Sequence, residues 1–274
     1  MSQGIVEKVN ETVAYLKSQY STPPQIAVIL GSGLGNLAQK ITVEKEVPYE
    51  AIPHFPVSTV KGHSGKLIFG ELGGKKIVAM NGRFHYYEGY TTQEVVFPVR
   101  VMKLLGVTTL LLSNAAGGVN PAFKVGDIMI INDHISFSAP NPLIGKNIDE
   151  WGTRFPDMSE PYKKQLISKA KAIAANSNIT LHEGVYFVVT GPTFETRAEY
   201  RFIKTAGADA VGMSTVQECI VANHMGLDVF AASVITDLGI REEENVITHE
   251  EVLAAANAAE PKLAHLFIEL IKGI

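Results

Sequence analysis

The densest chemistry in this sequence lies in nine residues, Gly82-Arg83-Phe84-His85-Tyr86-Tyr87-Glu88-Gly89-Tyr90. Arg83 carries a planar fork of N–H donors that matches the oxygens of a phosphate. His85 can add a second hydrogen bond, and Glu88 can orient its imidazole. The rings, Tyr87 among them, offer faces to a sugar or a base. A second segment, Gly31-Ser32-Gly33-Leu34-Gly35-Asn36, is a tight glycine turn with free N–H groups and one hydroxyl, Ser32. A dinucleotide loop would read Gly-x-Gly-x-x-Gly, but the sixth position is Asn36. The Gly-Lys-Ser/Thr of a triphosphate loop is missing too. The turn suits a single phosphate, and equally a plain strand-to-helix turn.

Four further segments carry candidates. Ser113-Asn114-Ala115-Ala116-Gly117-Gly118 ends an apolar run, and its small residues let a ligand approach the backbone at Ala115. In Thr190-Gly191-Pro192-Thr193-Phe194-Glu195-Thr196, Phe194 can stack on a base and Glu195 can accept from ring N–H groups of a purine. Glu195 reads equally as a solvated carboxylate at a helix start. In Val211-Gly212-Met213-Ser214-Thr215, Ser214 can meet a phosphate and Met213 can pack on a ribose. Ile235-Thr236-Asp237-Leu238 closes another apolar run. His63, between glycines in Lys61-Gly62-His63-Ser64-Gly65, and His249 read on their own as a turn residue and a structural residue.

The elements that must position these residues alternate. Strands are predicted at Gln25–Leu30, Lys66–Glu71, Lys76–Asn81, Thr108–Ser113, Asp127–Asn132, Gly184–Val189, Ala210–Gly212 and Asp228–Ile235. Gly73-Gly74 between the second and third signals a hairpin. Four Thr-x-x-Glu patterns, starting at Thr91, Thr196, Thr215 and Thr248, predict capped helix starts, in which hydroxyl and carboxylate each satisfy a free N–H. Gly106 is placed to end the first of these helices. The expectation is α/β: a single domain over residues 1–274, with a mixed twisted β-sheet flanked by helices on both faces. Several clusters sit at strand ends or before helix starts, where free N–H groups face anions.

Composition narrows the function classes. The 274 residues carry a net charge of −4 with no basic stripe, which argues against a nucleic-acid backbone as partner. The single cysteine, Cys219, rules out an internal disulfide and a cysteine-based metal site. There is no signal-peptide or membrane-spanning run, so a soluble, cytoplasmic protein without membrane contact is expected. The long loop-like stretch from Ser138 to Asp157 is of the kind that carries function.

In combination these motifs resemble the trimeric family of purine nucleoside phosphorylases. The likeness covers nearly the whole chain and adds Gly126-Asp127 and Asp133-His134-Ile135 to the segments above. It implies phosphorolysis of a purine nucleoside to free base and α-pentose 1-phosphate, with inorganic phosphate as co-substrate and neither metal nor organic cofactor. By resemblance, phosphate meets Ser32, Arg83, His85, the Ala115 backbone and Ser214, with His63 on a loop closing over it. The ribose meets Tyr87, Met213 and His249, and the base meets Phe194, Val211, Glu195, Thr236 and Asp237. His85, Glu195, Asp237 and His249 are the catalytic set. Phe155 is expected to complete the neighbouring site of a homotrimer. The chain departs from the family at Asp237, where the 6-oxopurine enzymes typically carry Asn. Methylthioadenosine phosphorylases have Asp there but generally lack the equivalent of Glu195. Glu195 favours guanosine and inosine; methylthioadenosine phosphorolysis is the alternative.

Overall fold

The computed structural model describes residues 2–31, 35–57, 65–240 and 247–274. Two candidates, Ser32 and His63, lie outside the described residues. Among the described residues, nine strands form one mixed sheet: β1 Ile26–Leu30, β2 Thr42–Pro48, β3 Lys66–Leu72, β4 Lys75–Asn81, β5 Thr109–Gly118, β6 Ile128–Ile135, β7 Leu181–Val188, β8 Ala210–Gly212 and β9 Asp228–Leu238. Their order is β2-β3-β4-β1-β5-β8-β7-β6-β9. The hairpin expected at Gly73-Gly74 joins β3 to β4. β1 then lies parallel between β4 and β5. β5 also pairs with β9, so β5, β8, β7, β6 and β9 close into a ring.

The strands are apolar runs because helices cover both faces of the sheet, and β1 is buried along its whole length. Helices α1 Ser2–Gln19, α2 Thr92–Val95, α3 Phe97–Leu105, α4 Lys164–Asn176, α5 Arg197–Thr205, α6 Val216–His224 and α7 His249–Lys272 complete the fold. Three of the four Thr-x-x-Glu patterns form reciprocal capping boxes, at α2, α5 and α7. The first helix is broken between Val95 and Phe97, and Pro98 enters α3 at its first turn. Gly106 ends it in a left-handed conformation, φ 115°. Among the described residues, no helix is long and apolar enough to cross a membrane.

Close approach of strands at their carboxyl ends sets the floor of the site. The Gly31 amide donates to the Ser113 hydroxyl at 3.2 Å. A Cβ on Gly31 would lie 2.6 Å from the Ser113 carbonyl oxygen and 2.8 Å from the Asn114 Cα. Both are backbone atoms of β5 and cannot rotate away. Gly31→Ala is therefore expected to cost about 1–3 kcal/mol, the usual range for overpacking. Urea unfolding monitored by circular dichroism measures it, and an unchanged midpoint would contradict the close packing.

Candidate functional site

The carboxyl ends of β4, β5, β8 and β9, together with the starts of α5 and α7, enclose a cavity of about 360 Å³. Eleven of the sequence candidates line it: Arg83, His85, Tyr87, Ala115, Phe194, Glu195, Val211, Met213, Ser214, Thr236 and Asp237. His249, the first residue of α7, joins them. Phe155 does not. It sits on the long loop, 84% exposed, with the Arg154 guanidinium 5.4 Å from its ring centre, beside a different cavity.

Arg83 follows β4 and is only 1% exposed. Its Nε and Nη2 donate to the two oxygens of Glu218 at 3.1 and 2.8 Å, a fork-to-fork pair. Nη1 donates to the Ser113 carbonyl at 2.6 Å and to the Ser214 hydroxyl at 3.3 Å. Glu218 corrects a sequence expectation. The pattern Thr215-x-x-Glu218 was expected to cap α6, but Thr215 makes no side-chain cap. It holds φ 75° and ψ −46°, and the Val216 amide donates to the Ser214 carbonyl at 2.8 Å. That is a γ-turn of the rare, strained form. A β-branched residue holds such a conformation only where its surroundings enforce it. Here the Asn114 amide donates to the Thr215 Oγ1 at 2.9 Å, and the residue is buried. The turn brings the Ser214 hydroxyl to Arg83 and frees the Glu218 carboxylate to neutralise the guanidinium.

His85 is fixed by Glu88, as its spacing suggested. One Glu88 oxygen, Oε1, accepts from the His85 backbone amide at 2.8 Å and lies 2.8 Å from Nδ1 of the ring. A carboxylate only accepts, so Nδ1 carries the hydrogen and Nε2 is the acceptor of the neutral ring. Burial, opposed by the bond to Glu88, pulls the His85 pKa below the ordinary histidine value. Tyr87 stacks on the imidazole with ring centres 4.6 Å apart. Burial lifts the Tyr87 phenol to a pKa of about 12, so it remains a neutral surface.

The acceptor group of the cavity comes from β9 and α5. Successive residues of a strand face opposite sides, yet Thr236 and Asp237 both line the cavity. A bulge explains this: Ala116 pairs with Ile235 and Gly117 with Asp237, leaving Thr236 as the extra residue. The Thr236 hydroxyl lies 3.1 Å from Asp237 Oδ1 and 3.3 Å from the Ala116 carbonyl oxygen. Glu195 precedes the Thr196 cap of α5. Burial holds its carboxyl above the ordinary range, and the Asp237 charge adds to that.

Two residues of this site do not stand out in the sequence. Glu218 has the spacing of a cap partner for Thr215, which hides its role beside Arg83. Tyr200, one turn into α5, lines the cavity and hydrogen-bonds both Glu195 and Asp237. Tyr200 stands three residues before Ile203, which puts both on the buried face of α5, the local signal available for it. Among the described residues, no group of three or more His, Cys, Asp or Glu is placed to hold a metal ion. The cavity thus joins an anion-facing set to an acceptor set (Glu195, Asp237) that suits N–H groups, with aromatic and aliphatic walls. In the anion-facing set Arg83 and Ser214 donate, and His85, whose only hydrogen is held by Glu88, presents Nε2 as an acceptor for a phosphate O–H instead of the second donor expected from its residue type.

The chain is similar to proteins of one known family. Residues 25–272 match the phosphorylase superfamily. Purine nucleoside phosphorylase 1 of Bacillus subtilis (strain 168) is 50% identical over 268 residues, covering 98% of this chain and 97% of the relative. Purine nucleoside phosphorylase of Bos taurus is 50% identical over 272 residues, covering 97% and 94%. Among solved structures, isoform 2 of purine nucleoside phosphorylase from Schistosoma mansoni, in complex with cytosine and ribose-1-phosphate, superposes with a TM-score of 0.92. It is 45% identical and covers 97% of this chain and 96% of that one. A Schistosoma mansoni purine nucleoside phosphorylase in complex with adenosine gives a TM-score of 0.93 at 41% identity, with 98% of both chains covered.

Proposed function

This chain belongs to the purine nucleoside phosphorylase family and is a pentosyltransferase; from that premise we propose that its preferred substrates are the 6-oxopurine nucleosides guanosine and inosine. The observation that carries the reading is Glu195, a carboxylate set into the cavity beside Phe194. Ionised, it accepts from the N1–H of a 6-oxopurine and from the amino group of guanine. The methylthioadenosine alternative has Asp237 in its favour and Glu195 against it, and the relatives carry the purine nucleoside phosphorylase name.

The proposed mechanism follows from charge. Phosphate is a weak nucleophile, so the C1′–N9 bond breaks ahead of its attack. Its electron pair leaves with the purine, and the ribose becomes oxocarbenium-like. Fixed donors and acceptors around each fragment stabilise that separation better than water, which must reorganise. A phosphate oxygen held by Arg83, Ser214, Ser32 and the Ala115 backbone then bonds to C1′. The hydrogen phosphate gives up its O–H proton as the ester forms, and the released base takes up one proton, so the step balances. With Nδ1 committed to Glu88, the neutral His85 meets hydrogen phosphate through Nε2, which accepts the phosphate's own O–H. Tyr87, Met213 and His249 orient the ribose, and His63 is a further proposed phosphate contact. No cofactor enters this scheme. The proposed assembly is a cytoplasmic homotrimer in which the exposed ring of Phe155 reaches a neighbouring site.

One assay tests this reading: purified protein with inosine, guanosine, adenosine or methylthioadenosine, each with and without phosphate. Base is expected from inosine and guanosine only when phosphate is present. Release from methylthioadenosine alone would overturn the substrate assignment, and hydrolysis independent of phosphate would overturn the mechanism.

A further inference from the structure

A 6-oxopurine displays an N1–H donor beside an O6 acceptor. Glu195 answers the first. The second needs a donor, and an ionised Asp237 has none to give. The Thr236 hydroxyl has one hydrogen and already has two acceptors, the Ala116 carbonyl and Asp237. Tyr200 remains. Its hydroxyl lies in the cavity, 3.4 Å from Asp237 Oδ2. The same hydroxyl also hydrogen-bonds Glu195. Once a base N1–H occupies Glu195, the phenol hydrogen is left to choose between O6 and Asp237, the latter at a distance longer than the common O–H···O value of about 2.7–2.8 Å. The ring is clamped by backbone: a Cβ on Gly239 would overlap it, and one on Gly117 would come within 3.3 Å of the hydroxyl. The residue is 4% exposed.

We propose that Tyr200 is a specificity-determining, substrate-contacting residue whose hydroxyl donates to O6 of a 6-oxopurine, the bond that Glu195 and Asp237 cannot make; this rests on the phosphorolytic reading of the same cavity. Burial and the two flanking carboxylates push the phenol far above its ordinary pKa, so it keeps its hydrogen at any working pH. Asp237 is then left to accept, from a protonated N7 or from the amino group of a 6-aminopurine. A 6-aminopurine therefore has little need of Tyr200, because its N6–H donates directly to Asp237. The Tyr200–Asp237 pair divides between two side chains the donating and accepting that a single amide does elsewhere.

The test compares kcat/KM for inosine and adenosine at saturating phosphate in the wild type, Tyr200→Phe, and Tyr200→Phe with Asp237→Asn. Phenylalanine keeps the ring that packs on Gly239. An unpaired buried acceptor costs about 1–3 kcal/mol, so inosine turnover should fall about 5- to 150-fold in Tyr200→Phe while adenosine changes far less. The Asn amide of the double variant can donate to O6 and should restore inosine turnover. Where adenosine turnover is too slow to follow, the same ratio is read from calorimetric binding of hypoxanthine and adenine. Equal losses on both bases, an unchanged inosine rate, or no rescue by Asn would each overturn the role of Tyr200 while leaving phosphorolysis standing. A wild-type protein that releases base from neither nucleoside would remove the underlying reading, and this inference with it.

Discussion

Replacing Glu218 by alanine is expected to destabilise the protein by about 3–5 kcal/mol, among the largest effects of any single change in the chain. The figure is the cost of stranding a buried charge and not the net worth of the pair. Arg83 is 1% exposed and Glu218 is equally enclosed, and their two parallel bonds satisfy both groups. With Glu218 gone, Nη1 still donates to the Ser113 carbonyl and the Ser214 hydroxyl, but the carboxylate that met Nε and Nη2 is lost. The proposed phosphate site gives this variant a distinctive signature. An anion bound beside Arg83 replaces part of the lost charge, so phosphate should protect Glu218→Ala more strongly than it protects the wild type. Binding to the folded state stabilises it by about RT ln(1 + [L]/Kd), roughly 2.7 kcal/mol at a hundredfold excess over Kd. Chemical denaturation at several phosphate concentrations measures both quantities. A loss below 1 kcal/mol would contradict the buried pair, and equal protection of both proteins would contradict a phosphate site at Arg83.

That pair also marks where the sequence stops being legible. Most of the sheet can be read from apolar runs, because strands covered on both faces need apolar residues throughout. The fold class and eight of nine strands follow from that rule. The exception is β2, with Glu44, Lys45 and Glu46 in succession. It is an edge strand with an irregular register between Val43 and Lys45, and charges on such an edge block pairing with other chains. The same charges erase the apolar signal by which strands are recognised. Helix α4 escapes for a related reason: Lys163 stands at its start and makes no side-chain cap. At Thr215 the pattern was present and the structure declined it. Thr-x-x-Glu describes what a helix start can do locally, whereas the Glu218 carboxylate is claimed by an arginine 135 residues away in the chain. Arg83, His85 and Ser214 were visible as candidate phosphate contacts from residue type alone. Helical spacing puts Tyr200 on a buried face, but the bulge that turns both Thr236 and Asp237 into the cavity, and the two carboxylates that flank the Tyr200 hydroxyl, come from tertiary pairing that no local spacing encodes.

Glu195→Ala is expected to lower kcat/KM for inosine and guanosine by about 10²–10³-fold, the range seen when one preorganised charge-stabilising contact is removed from an active site. The variant separates binding of the two substrates. Glu195 belongs to the acceptor set, and the anion-binding set of Arg83, His85 and Ser214 is untouched. Phosphate protection against thermal unfolding should therefore stay near the wild-type level while nucleoside turnover collapses. Stability supplies an independent check on sign. Burial raises the Glu195 carboxyl above its ordinary pKa, so the folded chain holds this proton more tightly than the unfolded one. Stability then declines as pH rises through the interval between the unfolded and the folded pKa, and above it the ionised carboxylate is a net cost. Removing it should leave the apoprotein no less stable at neutral pH, in contrast to Glu218→Ala, and should flatten that part of the pH–stability curve. Catalysis carries the opposite sign. Inosine needs the ionised form as acceptor for N1–H, so wild-type turnover should fall on the acid side at a pH above the ordinary glutamate range. The residual activity of Glu195→Ala should lack that limb. Wild-type turnover of inosine in the variant, or loss of phosphate protection along with it, would show that Glu195 does not hold the base.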